Sequence, residues 1–217
     1  MVDASVRTKP KLRGVFHEAA FYAAVAASIP IVAGAEAGRA RAAALVFVCS
    51  LAGCFGASAL YHRPTWTPRT RAWLARVDHA GVYVLVAGSY TPFALLVFSS
   101  AWAVPVLAIV WSGAVTATAV KVCWFDLPTR VSAAIGIGLG WVGIAALPQL
   151  LKLPVAGVVL VVVGGVFYTA GAVVYARRRP DPVPSIFGYH ELFHVLTVVG
   201  AACQAASIAF FVLPLAA

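Results

Sequence analysis

Charge is scarce in this 217-residue chain: 11% of its residues are Asp, Glu, Lys or Arg, against roughly a quarter in an ordinary soluble domain. So low a share excludes a water-soluble enzyme. Asparagine is absent altogether, which excludes an N-glycosylation sequon. The few cysteines, Cys49, Cys54, Cys123 and Cys203, form no C-x-x-C pair and fall within or at the ends of apolar runs. They read as small core residues and say little about redox compartment. Lysine occurs only as Lys9, Lys11, Lys121 and Lys152; none lies in the last apolar run, so a retinal Schiff base there is excluded.

Apolar residues make up 62% of the chain, in runs of about 20 residues, each long enough to cross about 30 Å of hydrocarbon as a helix. With Pro, Gly and charge as punctuation, the runs predict an all-α fold, a seven-transmembrane helix bundle forming a single domain over residues 1–217. The expected spans are 16–35, 42–61, 77–98, 102–123, 131–150, 154–176 and 189–213, after a short basic tail over 1–15. Continuous rather than alternating hydropathy excludes transmembrane β-strands. The first run is longer than the core of a signal peptide and no small-residue cleavage site ends it, so it reads as a retained span.

The net charge of +9 does not point to nucleic acid, because the basic residues sit between the apolar runs. With alternate connections assigned to alternate sides, 13 Lys and Arg fall on the side of the amino end and 3, Arg39, Arg41 and Lys152, on the other. The positive-inside rule then places the amino end in the cytoplasm and the carboxyl end outside. High Ala, Val and Arg agrees with a bacterial plasma membrane. The second connection, HRPTWTPRTRAWLAR, carries Trp66 and Trp73 and suits an amphipathic segment at the lipid headgroups. Gly136, Gly138, Gly140 and Gly143 in the fifth span are expected to permit close helix packing.

Ionisable residues within spans are costly and therefore functional candidates. Ser58 and His62 close the second span, Asp78 and His79 open the third, and His190, Glu191 and His194 open the seventh, all on the expected cytoplasmic side. Residues four apart share a helix face, so His190 and His194 can point at one ion, and Ser58 lies on the face of His62. The three helix ends can meet about one turn inside the boundary. Neutral imidazoles from His62, His190 and His194 suit a tetrahedral Zn²⁺ that keeps a fourth position for water, with Asp78 and Ser58 close enough to orient that water or a ligand. The same residues also fit separately hydrogen-bonded helix ends, and H-x-x-x-H alone does not decide between the two. His79 faces about 100° away from Asp78 and reads as a packing or interfacial residue. Glu191 lies off the histidine face and suits a basic loop partner or the helix amino end. His17 and Glu18 have no spacing partner and read as structural.

SALYHRPTW, VDHAGVYVLVAGSYTPF and GYHELFHVL, in this order, resemble the haemolysin III family of bacterial membrane proteins, which is related to the progestin and adiponectin receptors and more distantly to alkaline ceramidases. The likeness covers almost the whole chain. It implies Zn²⁺ held by His62, His190 and His194, with Ser58 and Asp78 at the family's Ser and Asp positions. It also implies a zinc-dependent intramembrane hydrolase of a lipid amide or ester, a membrane lipid being substrate or ligand. In such a hydrolase Asp78 is expected to take or relay a proton and Ser58 to hold water or oxyanion. The alternatives are a zinc-stapled membrane sensor or lipid-binding receptor-like protein, and a lytic protein as the family name suggests. A pore finds little support, since no span is polar-striped and no ring of charge is present. Nor do the almost wholly apolar outer halves suit a transporter.

Overall fold

A computed structural model describes residues 9–123 and 128–216, and these are all helix and connection apart from one isolated bridge between Val183 and Phe187. In chain order the helices are α1 (Val15–Ala33), α2 (Arg39–His62), α3 (Pro68–Leu96), α4 (Ser100–Cys123), α5 (Thr129–Ala145), the single turn α6 (Leu147–Leu150), α7 (Val155–Arg177) and α8 (Tyr189–Ser207). A π-helical turn, Ile208–Val212, and a 3₁₀ turn, Leu213–Ala216, continue α8. Six of the helices are long and apolar enough to cross a membrane: α1, α2, α3, α4, α7 and α8 with its extension, whereas α5 is shorter. Arg7 of the basic tail lies outside the described residues.

Two boundaries differ from the hydropathy reading by more than three residues. α3 begins at Pro68 rather than Val77, so the part of the second connection from Pro68 on, Trp73 included, forms the first turns of a long helix. Local chemistry explains the early start: Thr67 Oγ1 accepts the Thr70 N–H at 3.3 Å, and Pro68 sits at the first helical position, where a missing N–H costs nothing. The fifth span breaks at Ala146, ahead of Pro148, so that α5 ends and α6 follows as one turn.

Packing relies on small residues. A Cβ on Gly88 of α3 would overlap Ser50 Oγ of α2, and one on Gly164 of α7 would stand 3.0 Å from the Gly200 carbonyl oxygen of α8. Lipid tails are as apolar as the helices, so such close approach is what holds spans together. The fifth-span glycines contribute unevenly: Gly143 abuts Tyr90 and Gly136 touches Tyr83, while Gly138 and Gly140 face open space. Of the cysteines, all free, Cys54 is buried, Cys203 half-buried, and Cys49 and Cys123 are exposed on the bundle surface, so the reading as core residues holds fully only for Cys54.

The described chain runs from one end of the bundle to the other. Residues 9–14 lie against the His62 end of α2 and the connection before α8. At the opposite end, Ser207 Oγ of α8 donates to the Gly157 carbonyl at the start of α7, at 3.0 Å.

Candidate metal centre

Three histidines meet at the end of the bundle where residues 9–14 pack. His62 is the last residue of α2 and is buried. His190 and His194 lie on the first two turns of α8, one face apart by a single turn. Their position depends on how α8 starts. The Tyr189 N–H donates to Asp181 Oδ1 at 2.8 Å and the Gly188 N–H to Glu191 Oε2 at 2.9 Å. Two carboxylates thus satisfy amides that the helix leaves unpaired, and their charge complements the positive helix end.

One ring nitrogen from each of His62, His190 and His194 lies within 4.8 Å of the others. Bonds of about 2.0–2.1 Å to a tetrahedral zinc place nitrogens about 3.3 Å apart. His62 Nε2 and His190 Nε2, at 3.1 Å, already stand at that separation. The His194 ring centroid is 5.1 Å from that of His62 and 4.6 Å from that of His190, and its Nδ1 has no hydrogen-bond partner. The three residues therefore fit a metal ion.

Asp78 of α3 stands beside the cluster: its Oδ2 is 3.5 Å from His62 Nε2. Ser58 is 1% exposed, and its hydroxyl lies beside the Asp78 carboxylate. The structure thus brings Ser58, His62, Asp78, His190 and His194 to one end of three helices. His79 turns away from the cluster, with Nδ1 bonded to the Ala75 carbonyl at 2.5 Å and Nε2 to the Tyr175 hydroxyl at 3.0 Å.

Glu191 has no accessible surface and fills both roles open to it, pairing with Arg13 as well as holding the Gly188 amide. That pair belongs to a strap. The Lys11 N–H donates to the Ser185 carbonyl at 3.1 Å and the Leu12 N–H to Ile186 at 3.2 Å, and a Cβ on Gly14 would stand 2.6 Å from His62 Cβ. Lys9 Nζ donates to the Arg63 carbonyl at 3.1 Å; partial burial and the nearby Arg63, Arg71 and Arg13 hold its ammonium below the ordinary lysine value.

Sequence spacing did not connect His17 or Glu18 to this site, yet both reach it. Glu18 Oε2 lies 2.7 Å from Arg63 Nε, and the His17 ring stacks on His194 with centroids 3.8 Å apart and planes 3° from parallel. Their partners lie on other helices, so no motif could reveal them. Two surface grooves of about 560 and 480 Å³, one between α1 and α2 near Ser28 and Leu45 and the other between α4 and α5 near Gly113 and Leu139, include none of the histidines.

A family model described as "Haemolysin-III related" matches residues 5–205. The chain is 29% identical over 167 residues to "Hemolysin-3 homolog" of Bacillus subtilis (strain 168), covering 76% of this chain and 75% of that protein. It is also 29% identical over 150 residues to "Hemolysin-3" of Bacillus cereus, covering 69% of this chain and 66% of the relative.

Proposed function

The chain belongs to the haemolysin-III related family, and from that premise we propose that it is a zinc-binding, multi-pass protein of the bacterial plasma membrane that hydrolyses an amide or ester bond of a membrane lipid. The observation that carries this reading is the meeting of three histidine nitrogens with a carboxylate and a buried hydroxyl. His62, His190 and His194 would hold Zn²⁺, leaving room for one further ligand, which is the donor set of a catalytic rather than a closed site. Zinc in such a site lowers the pKa of water toward neutrality and polarises a carbonyl.

The remaining work falls to the chain. Asp78, 3.5 Å from His62 Nε2, stands where a carboxylate can take a proton from water and return it to the leaving group. Ser58, buried beside Asp78, can donate to water or to a carbonyl oxygen as negative charge builds on it. The apolar flanks of the bundle suit an acyl chain arriving from the bilayer. The strap over 9–14 covers the end of the bundle, which favours entry from the lipid side over entry from water.

Orientation follows from charge: the strap end carries most of the basic residues and is placed in the cytoplasm. A seventh crossing is supported by α5 and α6 together. Near one end of α4, Lys121 Nζ donates to Ser132 Oγ at 3.1 Å, and near the other the Ser99 N–H donates to Gln149 Oε1 at 3.1 Å. The two short helices thus accompany α4 along its length.

The test is lipid turnover by purified, zinc-loaded protein, read by mass spectrometry of a bacterial lipid extract. Wild type is expected to release a fatty acid and Asp78→Ala to lose turnover while keeping zinc. Equal turnover by a folded Asp78→Ala variant would remove the mechanism. A second reading, a receptor-like protein in which zinc staples α2 to α8, is favoured by the strap covering the site. It requires metal-dependent stability without turnover.

A further inference from the structure

We propose that His17 is a positioning residue for the metal centre: it fixes the plane of the His194 ring by face-to-face stacking, in place of the hydrogen-bonded acceptor that usually orients a metal-bound histidine. The inference rests on the zinc-binding reading above.

A histidine that ligates a metal through one nitrogen ordinarily donates its other N–H to a carboxylate or carbonyl, which sets tautomer and ring orientation. Among the described residues neither ring nitrogen of His194 has a hydrogen-bond partner, and Nδ1 is wholly buried, so whichever nitrogen ligates, no acceptor orients the ring through the other. Its orientation must then come from packing. His17 supplies a flat surface parallel to it, with centroids 3.8 Å apart and planes 3° from parallel. Phe55 of α2 backs His17 at 4.9 Å, so the imidazole is wedged between α2 and α8 and is itself 3% exposed.

The wedge is held in register with the cluster. One turn before His17, Gly14 adopts φ +82° against His62 Cβ. The residue after His17, Glu18, pairs with Arg63, which directly follows His62. The start of α1 therefore references both α2 and α8, the two helices that contribute the histidines.

His17 does not act as a ligand in this geometry. It is outside the set of nitrogens within 4.8 Å of one another, and parallel rings direct their in-plane lone pairs side by side rather than toward one point. A neutral aromatic face is, however, attracted to a ring made cation-like by a bound metal. The stack is therefore expected to strengthen when His194 coordinates.

The experiment uses the purified full-length protein in detergent, with Zn²⁺ affinity from chelator competition and Co²⁺ as a spectroscopic probe. Wild type is expected to bind both. His17→Ala should lower zinc affinity about ten- to a hundredfold and alter the Co²⁺ visible bands, because His194 is freed to rotate. His17→Phe keeps a flat face and should bind within about threefold of wild type with the same bands. His17→Leu, which fills volume without a flat face, should resemble His17→Ala and replaces it if alanine prevents folding. Unchanged affinity and bands in both His17→Ala and His17→Leu would overturn the proposal, as would loss in His17→Phe equal to that in His17→Leu. Failure of wild type itself to bind either metal would overturn the zinc reading, and is told apart because it appears before any substitution.

Discussion

Arg13 donates its Nε–H to Oε1 of Glu191, a carboxylate with no accessible surface, 178 residues along the chain. Removing the arginine leaves a buried charge supported by the Gly188 amide alone. Because Arg13 is 24% exposed, solvent tempers the loss; Arg13→Ala is expected to cost about 1–3 kcal/mol of stability. Thermal unfolding in detergent measures it, and adding Glu191→Gln should recover part of the loss. An Arg13→Ala variant that melts like wild type would show that the strap contributes nothing to the fold.

Gly14 serves conformation and contact together. Its φ of +82° disfavours any L side chain, and an added Cβ would meet His62 Cβ at 2.6 Å. Gly14→Ala should displace the strap or His62 and lower zinc affinity, whereas a control Gly38→Ala, also at positive φ but with open space around it, should lower stability without changing affinity. Equal zinc affinity in Gly14→Ala and wild type would contradict the coupling.

Protons compete with zinc for imidazole nitrogens. A ligating nitrogen must be free of its proton, so zinc affinity should weaken on acidification. By mass action, zinc at about a hundred times its Kd should raise stability by about 2.7 kcal/mol, and a chelator should reverse the gain. Stability unmoved by both zinc and chelator would argue against a metal site built from these histidines.

Tyr90 ties α3 to the short α5: its hydroxyl donates to the Gly140 carbonyl at 2.5 Å and accepts the Gly143 N–H at 2.7 Å. Tyr90→Phe should destabilise the protein by about 1–3 kcal/mol and increase hydrogen exchange in Thr129–Ala145 more than in α2. Uniform exchange across both helices would show that the hydroxyl does not hold α5.

How far the residues announced this structure depends on the distance over which each interaction acts. Hydropathy located the helices because burial in lipid demands long apolar runs, and the i, i+4 spacing of His190 and His194 is a property of one helix. The start of α3 was missed because Thr67 and Pro68 cap a polar first turn that hydropathy reads as loop. The break after α5 was missed because Pro148 sits inside an apolar stretch. His17 was beyond reach for another reason: its partner is a ring on a helix at the far end of the chain, and stacking leaves no periodic trace. The glycine run misled in part, since small residues permit close packing without requiring it, and Gly138 and Gly140 face open space.

The measurement that bears most directly on the account is the metal content of the purified, folded protein, determined by mass spectrometry of the elements. About one zinc per chain is expected in wild type and none in a monodisperse variant with His62, His190 and His194 all replaced by Ala. Zinc-free wild type after exposure to excess metal, or a triple variant that retains the wild-type content, would contradict it.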